Sequence, residues 1–421
     1  MSETVRIEGL GGRGRGVAHT GGRICFVPGA LPGETVEIGP AGERRGVLEA
    51  PLARLAGPPH PARAAEPCVH AHRCGGCDWP HVLPGPGAAL KREVAAAAAR
   101  THPALAARLR EAAVVPSPPA YRLRARLHWD PESGVLGFYR RRSWTVTGIA
   151  GCRLLSPRLA AAVPALEALL AAAAPAPVDL EWLENLDGSE AVAALRPARG
   201  GPDAVPEAWI PPRSAAGTLV DGWRILTRAG HDAGGWGART VTMALPVPLT
   251  VPAGAFFQVN RHLAGVIFEE AARLVGPGRT PVWDLHAGVG LLAAAASTTG
   301  DRPLTLVEPF RPAGRAAAEN LPSARVVAGR TAEAYLARHG RLSPDAVAIT
   351  DPPRSGMTPK LRHQLAGWHP ARIVAMACDA ATWARDVAFL TAHGYRLAEV
   401  TLLDIFPFTS HVEILSRLEA S

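Results

Sequence analysis

Three cysteines, Cys68, Cys74 and Cys77, fall within ten residues, the last two separated by Gly75-Gly76. The glycines let the backbone turn tightly enough for the sulfurs to converge on one centre. A fourth ligand is then wanted, and Cys152, in Ala150-Gly151-Cys152, is the natural candidate. Four thiolates satisfy either a [4Fe–4S] cluster or a structural zinc ion. Structural zinc usually draws on two paired knuckles, whereas a trio plus a distant single is more typical of a cluster. The spacing therefore favours iron–sulfur, with His70, His72 and His81 keeping zinc open.

Further candidate chemistry gathers near the other end of the chain. Val282 to Gly290 reads as a strand running into a glycine turn and a helix, where a ligand can approach the backbone closely. The next strand ends in Glu308, 24 residues after Asp284, where a carboxylate suits the two hydroxyls of a ribose. A full G-x-G-x-x-G is missing, which argues against a dinucleotide and leaves S-adenosylmethionine as the better fit. Asp351 closes another strand in Thr350-Asp351-Pro352-Pro353-Arg354. The prolines stiffen that loop, so Asp351 can face a cofactor or substrate while Arg354 holds a phosphate. Cys378 ends a further strand. A lone cysteine is ordinarily core, but at a strand's carboxyl end beside a helix N-terminus, which could lower its pKa, it becomes a candidate nucleophile. His411 and Glu413 sit two apart on a last strand, hence on one face, and either can serve as a general base.

These groups need elements to hold them. Residues 1–56 show short β-type runs separated by Pro-Gly turns, as in a little barrel, with Arg13, Arg15, Arg44 and Arg45 as a basic face. Pro51 to Ala65 reads as a linker and Ala88 to Ala113 as one alanine-rich helix. Residues 57–250 form a β-rich, antiparallel middle that carries the cysteine motif. From 251 to 421 apolar strands alternate with amphipathic helices, which predicts a mostly parallel sheet covered on both faces. In that α/β class ligands sit at the carboxyl ends of the strands, where the candidate residues lie.

Composition narrows the setting. Hydrophobic residues make up 48% of the 421, enough for sizeable cores, and no stretch offers ~20 consecutive apolar residues. Met1-Ser2-Glu3-Thr4 shows no signal-peptide pattern, so a cytoplasmic protein with no membrane partner is expected. Net charge is +8, and only Lys91 and Lys360 of the 45 basic residues are not arginine. Arginine suits phosphate and base recognition, which makes a nucleic-acid partner reasonable.

Taken together, these residues resemble the RNA uracil-5-methyltransferase family, and the match spans nearly the whole chain. Gly11-Gly12 through Gly33-Glu34 is similar to a TRAM domain. Cys68, Cys74, Cys77 and Cys152 correspond to the [4Fe–4S] ligands of the cluster-bearing branch. Phe256-Phe257-Gln258-Val259-Asn260 matches a segment whose glutamine, here Gln258, contacts S-adenosylmethionine, and Glu308 and Asp351 fall on further cofactor-binding positions. The resemblance implies a Rossmann-like class I methyltransferase domain, with Cys378 as nucleophile and Glu413 as base in making 5-methyluridine. The family's D-[LF]-[YF]-C-G is replaced by Asp284-Leu285-His286-Ala287-Gly288, which puts His286 against the cofactor. The nucleophile segment reads Ala377-Cys378-Asp379-Ala380-Ala381-Thr382 where S-C-N-P-x-T is frequent. The expected partner is RNA, ribosomal in preference to transfer, and the expected state a monomer. Alternatives are an RNA cytosine-5-methyltransferase and a catalytically altered RNA-binding or assembly protein. Because the cysteine motif is remote in sequence from Cys378, a role in folding or RNA contact is favoured for the cluster over redox catalysis.

Overall fold

Short alternating strands with glycine turns build the N-terminal barrel. The structure, a computed structural model, describes residues 3–44, 46–339 and 343–421, so Met1, Ser2 and Arg45 of the reading above lie outside the described residues. Strands Glu3–Arg6, Thr35–Ile38 and Leu52–Leu55 form one small sheet of the barrel, and five further strands between Gly9 and Glu49 form the other. Their core holds Val5, Ile7, Val27, Val36 and the fully buried Cys25. The prolines after Pro51 suggest a linker, yet Leu52–Leu55 pairs antiparallel with Thr35–Ile38. Four residues free of proline suffice for a closing edge strand, where missing donors cost nothing.

The middle of the chain forms a seven-stranded sheet in the order Val146–Gly148, Val135–Tyr139, Arg124–Asp130, Val178–Glu184, Ala191–Pro197, Gly222–Leu226, Asp232–Gly237. It is antiparallel except where Ala191–Pro197 meets Gly222–Leu226. Helix Pro157–Ala173 covers one face, packing Leu166 and Leu170 against Leu127, Leu180 and Trp182. This helix has no counterpart in the sequence reading. Its alanine–leucine run lacks a clean polar stripe and contains Pro164, although Ser156 caps it by accepting from Leu159 N–H at 3.1 Å.

The C-terminal sheet has eight strands, ordered Arg325–Ala328, Leu304–Glu308, Val282–Asp284, Val347–Thr350, Arg372–Ala377, Glu413–Ala420, Tyr395–Leu403, Ala113–Val115. All run parallel except Glu413–Ala420, which is antiparallel to both neighbours. The expected single helix over Ala88–Ala113 is two helices, Pro86–Ala98 and Pro103–Glu111. Pro103 has no N–H and disfavours helical backbone at His102, so the first helix cannot run on. Both pack on the C-terminal core through Ala95, Leu105 and Leu109, and the chain after them adds the edge strand Ala113–Val115. Among the described residues no helix is long and apolar enough to cross a membrane.

Candidate active site

Five neighbouring strands deliver five reactive side chains to one edge of the C-terminal sheet. Glu308 and Asp284 end their strands, and Asp351 and Cys378 each stand one residue beyond theirs. Glu413 arrives from the opposite direction as the first residue of the antiparallel strand. Ala377 pairs with Ile414, so Cys378 and Glu413 face each other at the mouth of two adjoining strands. In strand order the row reads Glu308, Asp284, Asp351, Cys378, Glu413.

Burial governs the charge of this row. It lifts the carboxyls of Asp284 and Asp351 to about 7, Asp284 being lifted further by Asp351 and Glu308. Glu413 is pushed up to about 8, by burial first and then by Asp351, with Arg354 opposing. The Cys378 thiol rises to about 11, through burial and then the Glu413 carboxylate, against the pull of Arg354. The helix N-terminus expected to lower this thiol is satisfied otherwise: Asp379 caps Ala380–Thr391, accepting from Ala381 and Thr382 N–H. Cys378 opens into a cavity of about 600 Å³ lined by Arg354, His411, Arg100 just beyond the first helix and Arg13 of the barrel.

A second pocket is lined by Phe256, Gln258, His286, Ala287, Gly288 and Asp351. The structure thus brings three of the expected cofactor residues, Gln258, His286 and Asp351, around one space. Glu308 stands behind it, its carboxylate accepting from Gly288 N–H and Phe310 N–H at 2.8 and 2.7 Å. His286 Nδ1 and Asp284 Oδ2 are buried without partners. Burial holds His286 neutral, with its pKa down at about 4. Unsatisfied polar atoms round a glycine turn fit a polar, adenosine-containing ligand better than an apolar one.

The four expected metal ligands, Cys68, Cys74, Cys77 and Cys152, line one pocket with Phe138, Ile149, Leu154 and Phe408. Among the described residues no group of three or more His, Cys, Asp or Glu side chains is placed to hold a metal ion, so the geometry gives no sign of the expected cluster. Burial, then the neighbouring thiols with Cys152 foremost, pushes Cys77 up to about 12. His81 also lies apart from this pocket, in the cleft shared with the barrel.

Sequence distance misleads about one relation. The cysteine segment looks remote from Cys378, yet Phe408 reaches the cysteine pocket five residues before Glu413. Phe408 holds a left-handed φ of 65° and accepts from Trp79 N–H through its carbonyl at 3.0 Å. Asp78 accepts from Ser410 N–H at 2.8 Å and from the Ser410 hydroxyl. Lys91, 2% exposed, spends its ammonium on the Asp404 carboxylate and on the Phe406 and His411 carbonyls, the last two at 3.0 and 2.6 Å. Asn260 donates to the Ile405 carbonyl at 2.8 Å. Residues 404–412 are therefore gripped from three sides before they release Glu413. Asp78 and Lys91 escape a search for reactive spacings; the one hint is that Lys91 is one of two lysines in an arginine-rich chain.

Comparison with known proteins bears on the family and the fold. A TRAM-domain family model matches residues 3–39. The chain is similar to the 23S rRNA (uracil(1939)-C(5))-methyltransferase RlmD of Pseudomonas entomophila, 30% identical, covering 99% of this chain and 94% of the relative. It is 31% identical to the protein of that name from Alkalilimnicola ehrlichii, with 98% and 95% covered. An uncharacterized RNA methyltransferase of Caulobacter vibrioides is 30% identical, with 98% and 99% covered. Among solved structures, the tRNA (uracil-54, C5)-methyltransferase of Pyrococcus abyssi in complex with S-adenosyl-L-homocysteine shares the fold, with a TM-score of 0.75, 21% identity and 99% of each chain covered.

Proposed function

Since the chain belongs to the TRAM-domain-containing RNA uracil-5-methyltransferases, we propose that it methylates C5 of a uridine in 23S rRNA, with Cys378 as nucleophile and Glu413 as base. The observation that carries the residue assignment is the register that sets Cys378 opposite Glu413 above a basic cavity. Uracil C5 is a poor nucleophile until something adds at C6. Cys378 gives up its thiol proton to solvent and its thiolate sulfur bonds to C6, so that the electron pair of the C5–C6 double bond is released to C5 and the O4 carbonyl. S-adenosylmethionine would supply the methyl group that C5 takes up, its sulfur–methyl bond breaking to leave S-adenosylhomocysteine. Glu413 then removes the C5 proton, the double bond re-forms, and the carbon–sulfur bond breaks to return Cys378. Gln258, His286, Glu308 and Asp351 line or support the cofactor pocket, and the paired uridine is flipped out to reach the thiol.

Four cysteines around one largely apolar pocket support a [4Fe–4S] cluster held by Cys68, Cys74, Cys77 and Cys152. The cluster would act as a structural joint between the middle segment and the loop before Glu413. The chain then works as three units, a barrel over 1–56, a cluster-bearing middle over 57–250 and a catalytic unit over 251–421. The preference for ribosomal over transfer RNA rests on relatives covered along 94% of their length or more. The test is methyl transfer from labelled S-adenosylmethionine to RNA, with the product nucleoside identified. Wild type is expected to yield 5-methyluridine and Cys378→Ala none; undiminished turnover by Cys378→Ala overturns the assignment. Loss of one 5-methyluridine from the 23S rRNA of a strain lacking the protein identifies the site, and loss from tRNA alone overturns the substrate.

A further inference from the structure

Resting on the reading that the substrate is RNA, we propose that Trp144 and the planar groups behind it form a stacking platform for an unpaired base outside the target uridine. Of the ten tryptophans, Trp144 alone is exposed, at 64%. It sits in the turn between Val135–Tyr139 and Val146–Gly148, closed by Arg140 N–H to the Thr145 carbonyl at 2.9 Å. Exposure of so large an apolar ring is ordinarily avoided, and flexible rings make poor docking surfaces. Here the ring is braced. The Arg199 guanidinium lies 4.6 Å from its centroid, and Tyr139 meets it edge-on at 5.3 Å and 86°. Tyr139 stacks in turn on His128 at 3.7 Å and 16°, and His128 is hydrogen-bonded through Nδ1 to Asp179 at 2.8 Å. One side of the indole is occupied by arginine, one edge by tyrosine, and the remainder faces solvent.

Charge and position select the occupant. The three residues Arg140, Arg141 and Arg142 stand immediately before Ser143 and Trp144. Arg141 and Arg142 line a cleft together with Arg13 and Asp78. Arg13 and Asp78 also line the cavity of Cys378. Arginines thus extend from the Cys378 cavity through this cleft, which Glu49 also lines, to Arg142, two residues before Trp144. A polyanion whose monomers carry aromatic faces matches a basic path that ends in a braced ring, since arginines take the phosphates and an indole takes any base. An apolar peptide would gain nothing from the arginines.

The experiment compares Trp144→Ala and Trp144→Phe with wild type in the full-length protein. Substrates are an RNA carrying the target loop with its flanking strands and a minimal oligonucleotide restricted to the loop. Stacking of one base predicts a rise of about ten-fold in KM and Kd for the long RNA on Trp144→Ala. Turnover at saturation and affinity for S-adenosylmethionine stay unchanged, and Trp144→Phe restores most of the binding. The minimal oligonucleotide, which ends short of the platform, shows no difference. An unchanged KM on the long RNA, or an equal loss on both RNAs, overturns the platform. A wild-type protein that methylates no RNA overturns the proposed function instead.

Discussion

Glu413 keeps its proton to about pH 8 and Cys378 to about 11, so both chemical groups are neutral in the free protein near pH 7. Neither is then in the form that reacts. Under the proposed function, the sulfonium of S-adenosylmethionine would bring a positive charge to this row, which favours the ionised form of both groups. Turnover is expected to rise with pH through a limb near 8, and Glu413→Gln to abolish product release while a covalent Cys378–RNA adduct accumulates on denaturing gels. Stability follows the opposite sign. The folded Glu413 binds its proton more tightly than the unfolded group at 4.5, so its contribution is complete below about 4.5 and is lost as pH rises through about 8. Melting temperature should fall between about pH 5 and pH 8, and Glu413→Gln should flatten that decline. The positions of Cys378 and Glu413 are legible in the sequence because each borders an apolar strand. Their juxtaposition is not, because register is written in backbone hydrogen bonds that no side-chain pattern specifies when a strand is buried on both faces.

At the level of elements, the segment 404–412 is where the cysteine pocket, the first helix and the catalytic strand meet. Lys91 satisfies one carboxylate and two carbonyls there, all within a buried setting. Lys91→Met leaves Asp404 buried without its cation, which costs about 3–5 kcal/mol. The expected outcome is a lower melting temperature together with a fall in kcat larger than any change in KM for RNA. Lys91→Met with Asp404→Asn should recover much of the stability. The proposed cluster predicts that the purified protein carries iron and sulfide, and that Cys152→Ser removes both and loosens the same segment, measured as faster amide exchange at Phe408 to Ser410. The alternation of strand and helix after Pro252 is readable because each period is long and regular. Helix Pro157–Ala173 and the break before Pro103 are not, since alanine-rich runs have no strong face and a proline can either start or interrupt a helix.

Across the whole molecule, the barrel is held to the cysteine-bearing segment by short polar locks. Trp79 Nε1 donates to the Gly14 carbonyl at 2.8 Å, and a Cβ at Gly14 would lie 2.3 Å from that indole. Glu34 of the barrel binds Arg63 and the Leu31 and His60 N–H groups. A rigid basic cleft of this kind makes RNA affinity fall steeply with salt, and Arg13→Ala should lower the slope of log Kd against log salt by about one. Composition already hints at a polyanion, whereas the cleft exists only once barrel, cysteine segment and Cys378 strand share it. The antiparallel strand Glu413–Ala420 has one more consequence. It is the last of this sheet's strands to leave the ribosome, yet it belongs in the interior of the sheet, between Arg372–Ala377 and Tyr395–Leu403. A nascent chain that has emerged only as far as Leu403 has two strand edges waiting for a partner and no base beside its thiol. Synthesis order thus leaves the proposed nucleophile without its proposed base until the strand that completes the sheet is in place.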